Sequence, residues 1–183
     1  MAGVSVKQAC AKATAAALAV MAALALPAMA LSWTLPNGTL TPGAIGNDDT
    51  QRLDAGAICQ RGYARRVRHP YDPEWRRYRT AIFSAYGIPH ALWSHYTVDH
   101  LVPIELGGRP FGVVRGQWDL RNVWPEPKEE AVQKDAVEDA LHAAACYQAG
   151  YHGLHLSLAQ AELAIARDWT RTPVGLPVPR DRR

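Results

Sequence analysis

The residues best suited to chemistry are an acid and a histidine that stand side by side in an apolar stretch. Asp99 and His100 lie in the run VDHLVP, with Gly107-Gly108 and then Asn122 farther along the chain. A carboxylate is a favourable ligand for a hard divalent cation, and a histidine can take a proton from water near neutral pH. A cation beside a phosphate would also neutralise the charge that develops during hydrolysis. An isolated Asp-His pair is a weak signal, but together these residues point to metal-assisted hydrolysis of a phosphodiester bond.

Three elements would have to position these groups. The β-branched and apolar residues 96–104 predict a strand that ends before the glycine pair. Residues 109–121 predict a loop, with a second short strand near 111–114. Pro127, followed by two glutamates, predicts a helix that starts there and runs to Tyr147. Because neighbouring side chains of a regular strand point to opposite faces, Asp99 and His100 can share one ion only if the strand bulges or ends there.

Two predicted helices in the C-terminal part have apolar faces at helical spacing. The stripe of the first comprises Val132, Ala136, Val137, Ala140, Leu141 and Ala144. For the second helix, Ser157 and Gln160 predict a capping box at its start. Its buried face is expected to comprise Leu158, Ala161, Ile165 and Trp169.

The motif DHLVPIELGG, followed by NVWPEP and by Lys134-Asp135, resembles the HNH endonuclease family of the His-Me finger group, in what looks like an exported bacterial branch. The resemblance extends from TPGA at Thr41 to the terminal LSLAQAELAIARDW, although only residues 97–135 bear catalytic information. It implies an α+β fold with a ββα-metal core, an N-terminal arm and supporting helices. It also implies that His100 is the general base, that Asp99 is a metal ligand, and that Asn122 fixes the loop or orients His100.

One position departs from the family's pattern. Family members usually place a histidine about nine residues after the asparagine as a second metal ligand, and here Ala131 stands at that position. The neighbouring Glu130 is the candidate second ligand; a residue elsewhere, or water alone, would be the alternative. Since magnesium tolerates a site with few carboxylates and several waters, a sparse site still permits catalysis. We expect Mg²⁺ or Mn²⁺ as the cofactor, with Zn²⁺ or Ni²⁺ as further candidates.

The first thirty residues have the composition of a secretory signal peptide. Lys7 and Lys12 precede an apolar run over residues 13–26, and Ala28-Met29-Ala30 provides small residues for cleavage. An uncleaved anchor or a buried helix is the alternative. We therefore predict export to a periplasm or out of the cell, with no membrane contact after cleavage. Two lysines leave with this segment, so the net charge of +3 falls to +1 and binding of nucleic acid must rest on local charge.

The remaining chain is expected to comprise an N-terminal arm over residues 31–60, a nuclease-like domain over 61–170 and a flexible basic tail over 171–183. Cys59 and Cys146 are the two cysteines outside the signal. In an oxidising compartment they are expected to form a disulfide, with two buried thiols as the alternative.

Residues 61–79 contain seven arginines interleaved with aromatic residues, among them Trp75 and Tyr78. This stretch is either a solvated face balanced by nearby acids or a surface that contacts phosphates, with aromatic rings free to stack on single-stranded bases. The residues predicted to contact nucleic acid are Arg65, Arg66, Arg68, Arg121 and Lys134.

The sequence as a whole predicts an exported, metal-dependent HNH nuclease of low sequence specificity. Its expected partner is nucleic acid, with DNA favoured over RNA, and the oligomeric state is open. A domain that has lost catalysis and binds nucleic acid or a cell-envelope partner is the main alternative, supported by Ala131. A hydrolase of another phosphodiester is a third candidate.

Overall fold

The computed structural model describes residues 34–46, 55–68, 74–147 and 154–174. The predicted signal peptide, the end of the basic tail and part of the arginine-rich stretch lie outside these residues. The described helices are α1 (Ala55–Ile58), α2 (Tyr63–Arg68), α3 (Trp75–Ala85), α4 (Lys128–Cys146) and α5 (Leu158–Asp168). The described strands are β1 (Tyr96–His100), β2 (Val113–Val114), β3 (Gln117–Trp118) and β4 (Val123–Pro127). The predicted α+β class is confirmed.

The central element is a two-stranded antiparallel sheet that leads directly into the longest helix. β1 pairs with β4 in a regular register from Tyr96 opposite Pro127 to His100 opposite Val123. Pro127 ends β4 and is the residue immediately before α4, where a missing N–H costs little. The sheet and α4 therefore form a strand-strand-helix unit around the Asp-His pair.

A small hairpin of β2 and β3 lies between the two central strands in sequence. Arg115 and Gly116 connect its strands, with φ values of 51° and 78°. Two adjacent residues with positive φ are the mark of a tight hairpin turn whose twist matches the strands. The predicted loop over 109–121 is therefore a hairpin that projects two exposed valines.

Two apolar clusters enclose the central unit. The larger joins the turn after β1 to α4 and α5, and it comprises Val102, Leu106, Val137, Leu141, Ala161, Ile165 and Trp169. The smaller joins α3 to the region between the central strands, and it comprises Tyr78, Ile82, Phe111 and Val123. Each fully buried side chain of this size stabilises the fold by about 1.5–3 kcal/mol relative to exposure. The central strand-strand-helix unit thus lies between the two apolar clusters.

Two local predictions are confirmed at the ends of these helices. The side chain of Ser157 accepts from the Gln160 N–H while the Gln160 side chain accepts from the Ser157 N–H, which is the predicted capping box. Cys59 and Cys146 form the predicted disulfide, with Cα atoms 5.5 Å apart. The bridge ties the segment after α1 to the last residue of α4.

Two boundaries differ from prediction. The strand predicted over 96–104 ends at His100. The chain turns there, and the backbone N–H and carbonyl of Val102 form hydrogen bonds with the Asn122 side chain instead of with a neighbouring strand. Val132 was predicted on the buried stripe of α4, yet it is 70% exposed. Within the described residues no helix is long and apolar enough to cross a membrane.

Candidate active site

The turn that follows β1 is held by one buried side chain. Asn122 accepts from the Val102 N–H at 2.9 Å and donates from Nδ2 to the carbonyls of Val102 at 2.8 Å and Arg109 at 2.9 Å. All three bonds are buried, and a buried polar group that loses its partner is costly. Asn122 therefore ties the ends of the loop 102–109 together. Of the two roles implied for it, fixing the loop is the one these contacts fit, which makes it a positioning residue rather than a catalytic one.

The same loop requires glycine at position 108. A Cβ built on Gly108 would lie 1.8 Å from the Val102 carbonyl oxygen and 2.8 Å from Asn122 Nδ2. Such distances are far inside van der Waals contact, so any side chain there would push the two loop ends apart. The second glycine of the Gly-Gly pair thus allows the close approach that Asn122 then fixes.

His100 is the last residue of β1 and its ring is almost completely buried. It is 8% exposed, and Nε2 has no hydrogen-bond partner among the described residues. Burial lowers the pKa of His100 to about 4; Asp99 opposes this shift, whereas Arg68 and Lys134 add to it. The imidazole is therefore neutral at neutral pH, as a proton acceptor requires, and its unpartnered Nε2 is buried.

Asp99 is held by a lysine from α4. Lys134 Nζ donates to Asp99 Oδ2 at 2.5 Å and to the His100 carbonyl at 2.9 Å, and it also donates to Glu138. Burial alone would lower the pKa of Lys134, but the carboxylates of Asp99, Glu138 and Glu126 raise it above its ordinary value. Lys134 is thus a permanent cation inside the protein.

This placement contradicts the prediction that Lys134 contacts nucleic acid. Its side chain has no exposed surface, so no phosphate can reach it. Its physical role is to balance buried acids and to hold the end of β1 against α4.

Glu126 adds a buried acid beside this ion pair. It lies opposite Thr97 in the sheet, so it shares a face with Asp99, and it is 1% exposed with Oε1 unpartnered in the described structure. Burial raises the pKa of Glu126 to about 8, and the negative charge of Asp99 adds to the shift. One ammonium cannot balance every surrounding carboxylate, so Glu126 holds a proton at neutral pH.

Glu130, the predicted second metal ligand, has other partners. Its two carboxylate oxygens accept from the N–H and the hydroxyl of Thr34 at 2.9 and 3.0 Å. Because both oxygens are engaged, the structure gives the metal-ligand prediction no support. The contact instead fastens the N-terminal arm to the first turn of α4.

The predicted arginines separate into two groups. Arg68 lines the same cleft as Asp99 and His100, and it lies with Arg65 and Arg66 on the exposed side of α2. Arg121 instead forms a paired hydrogen bond with Asp119, both at 2.8 Å. Burial alone would raise the pKa of Asp119, but its bonds to Arg121 and Arg109 outweigh this effect and lower it. Arg121 therefore belongs to a structural ion cluster.

The cleft has a volume of about 360 Å³ and is lined by Arg68, Trp75, Val98, Asp99, His100 and Phe111. In a regular strand Asp99 and His100 point to opposite faces, and the register with β4 shows no bulge. The strand does end at His100, which is the second of the two conditions under which both residues can serve one site. Both residues border the cleft, since it opens where the sheet stops.

A separate group, formed by Cys59, His142 and Cys146, could hold a metal ion, because their ligand atoms lie within 4.8 Å of one another. The two sulfur atoms are bonded to each other here, and a disulfide lacks the thiolate charge that makes cysteine a ligand. The group could bind metal only after reduction, and none of its members lines the cleft.

Sequence reasoning did not place Glu126 and Glu138 beside Lys134, and it did not bring Val98 and Phe111 to the cleft. Glu126 could have been found, since alternate residues of NVWPEP share one face once that segment is read as a strand. Phe111 reaches the cleft only through the fold of a loop, for which the sequence has no periodic signal.

Comparisons with models of known families, with curated proteins and with solved structures give no significant match to this chain.

Proposed function

We propose that this chain is an exported nuclease that hydrolyses phosphodiester bonds of DNA with low sequence specificity and depends on a divalent cation. The observation that carries the proposal is His100: a neutral imidazole at the edge of a cleft that also presents Asp99 and Arg68. The loop beside it is immobilised by Asn122, as catalysis by precise positioning requires. RNA is the second substrate to test.

The order of elements supports the same proposal. β1, β4 and α4 occur in that order in the chain, with the β2–β3 hairpin inserted between the two strands, the Asp-His pair at the end of β1 and Asn122 just before β4. We infer that this unit corresponds to the ββα-metal core that the motif resemblance implies. Export rests on the composition of residues 1–30 and on the disulfide, which is typical of oxidising compartments.

In the proposed reaction, the His100 imidazole accepts a proton from a water molecule whose oxygen attacks the phosphorus atom. The bond from phosphorus to the leaving sugar oxygen then breaks, and that oxygen takes a proton from solvent. The exposed guanidinium of Arg68 would bind a non-bridging phosphate oxygen, for which its paired N–H groups are suited. Lys134 keeps Asp99 and the His100 carbonyl in place throughout.

The donor atoms in the cleft fit a hard cation, although sparsely. One oxygen of Asp99 is bonded to Lys134, so a cation would be held by the other oxygen together with water. Magnesium and manganese accept such a ligand set better than zinc, which prefers nitrogen and sulfur. When bound, the cation would neutralise charge on the phosphate.

The second candidate function is nucleic-acid binding without catalysis. The observation that favours it is the shortage of free metal ligands. Glu130 is hydrogen-bonded to Thr34, one oxygen of Asp99 is hydrogen-bonded to Lys134, and position 131 is alanine. A protein with too few free ligand atoms could still hold a phosphate backbone with Arg68 and its neighbours.

The deciding experiment is nicking of supercoiled plasmid by the purified chain from residue 31, with and without Mg²⁺ or Mn²⁺. We expect cation-dependent nicking that His100→Ala lowers by roughly 10²- to 10⁴-fold, the usual contribution of a general base. His95→Ala is the matched control, since His95 is exposed and outside the cleft. Equal nicking by wild type and His100→Ala would exclude the mechanism. DNA binding without cleavage of plasmid or of single-stranded DNA by either protein would favour the second candidate.

A further inference from the structure

The residues that line the cleft divide by chemistry into two groups. Arg68, Asp99 and His100 are polar, whereas Trp75, Val98 and Phe111 are apolar. The polar group accounts for the handling of a phosphate. The apolar group has no part in that chemistry, so it calls for a ligand group that is flat or apolar and covalently near the phosphate.

Trp75 is the exposed member of this apolar group. It is the first residue of α3 and 36% exposed, an unusual state for the largest apolar side chain. Its ring centroid lies 5.5 Å from that of Phe111 and 6.4 Å from that of Tyr78. The indole thus has aromatic support from within the protein and an open surface toward the cleft.

The support behind Trp75 is rigid. Phe111 and Tyr78 are buried and stack with centroids 4.4 Å apart, and the Tyr78 hydroxyl donates to the Asp119 carbonyl at 2.6 Å. Trp118 packs edge-on against Tyr78 at 5.3 Å. A ring held by such a cluster is fixed before a ligand arrives, so little conformational freedom is lost on stacking.

We propose that the apolar wall of Trp75, Val98 and Phe111 stacks one unpaired base next to the scissile phosphate, so that the enzyme prefers single-stranded nucleic acid. The proposal rests on the proposed function and specifies its substrate class. Base stacking on an aromatic ring needs an open base face and is tolerant of sequence. In a duplex both faces are covered by neighbouring base pairs, and exposing one requires extrusion of the nucleotide.

The size and chemistry of the cleft fit this occupant. About 360 Å³ lies at the lower end of small-ligand sites, which suits a single base and its phosphate rather than a duplex segment. Arg68, which lines the same cleft, supplies the positive charge that the phosphate next to the stacked base requires.

The test compares a single-stranded oligonucleotide, its duplex, and a single strand in which abasic residues replace every nucleoside. We expect wild type to cleave the single strand at least ten times faster than the duplex. Trp75→Ala should lower kcat/KM on the single strand by roughly 5- to 150-fold, the range for loss of one stacked base. The same variant should leave cleavage of the abasic strand unchanged, and Trp75→Phe should restore most of the loss. Tyr147→Ala is the matched control, because Tyr147 is an exposed aromatic residue outside the cleft.

Equal losses on the normal and abasic strands would overturn the proposal, since Trp75 would then support the fold rather than a base. A wild type that prefers the duplex would overturn it as well. Binding of fluorescent (dT)₁₀ by His100→Ala, with and without Trp75→Ala, separates this inference from the proposed function. If no substrate is cleaved but Trp75→Ala weakens (dT)₁₀ binding and leaves abasic binding intact, the stacking site stands and only the nuclease proposal fails. If Trp75→Ala changes neither, the stacking site is refuted.

Discussion

Asn122→Ala tests whether one amide fixes the loop beside the candidate base. The substitution removes three buried hydrogen bonds and leaves the Val102 N–H and the carbonyls of Val102 and Arg109 without that partner. Each net bond contributes about 1 kcal/mol, and each stranded buried group costs about 1–3 kcal/mol. We therefore expect a loss of about 3–5 kcal/mol in the free energy of unfolding. Most single domains have 5–15 kcal/mol, so the variant should still fold at 25 °C.

Asn122→Asp is the matched variant, because it keeps the size and the acceptor that serves the Val102 N–H. At neutral pH, however, its second oxygen would face two carbonyl oxygens, so it should be at least as unstable as Asn122→Ala. On acidification the carboxyl group gains a proton and can donate again, so part of the loss should return. Urea denaturation followed by tryptophan fluorescence, at pH 7 and near pH 4, measures both effects.

Activity decides between positioning and catalysis. At a temperature low enough for Asn122→Ala to remain folded, this variant should still have lower activity than wild type, because its loop is no longer held. Asn122→Asp should regain activity and stability together on acidification. A stability loss below 1 kcal/mol would refute the reasoning about the loop. Full stability with no activity would show that Asn122 acts on the reacting groups directly.

Three further predictions follow from buried charges and the disulfide. Lys134→Met should destabilise the fold by about 3–5 kcal/mol, since it strands buried carboxylates, and adding Glu138→Gln should recover part of this loss in urea denaturation. Asp119→Asn should lower the stability of the fold at neutral pH. Because folding lowers the pKa of Asp119 below its ordinary 3.8, the difference in stability between wild type and variant should shrink as the pH falls below that value. Thermal unfolding over this pH range measures the difference. Reduction of Cys59–Cys146, which spans 87 residues, should lower stability by roughly 4 kcal/mol, and Cys59→Ser/Cys146→Ser should make the protein insensitive to reductant.

Features set by local chemistry could be predicted from the sequence. The capping box at Ser157 depends on residues three positions apart, and the helix after Pro127 depends on its own first turn. The disulfide was predictable because two cysteines have a single pairing. These signals need no knowledge of what packs against them.

The buried face of α4 was predicted only in part, for a physical reason. The apolar stripe was correct at Val137 and Leu141 but wrong at Val132, because polar residues continue the buried face toward the N-terminus. Steps of three and four residues back from Val137 lead to Lys134 and then to Glu130, both buried. Hydrophobicity cannot reveal such a face, since its burial depends on a carboxylate supplied by β1 and on hydrogen bonds from the N-terminal arm.

The pleat of β1 limits how the two central residues can act together. Asp99 shares a sheet face with Glu126 and is held by Lys134, whereas His100 leaves the strand on the other face, where Val98 and Phe111 border the cleft. Under the proposed function, a substrate would meet both side chains only beyond the last paired residue. The proposed chemistry would therefore depend less on the sheet than on the turn that follows it, where Gly108 closely approaches the Val102 carbonyl and Asn122 is fully hydrogen-bonded.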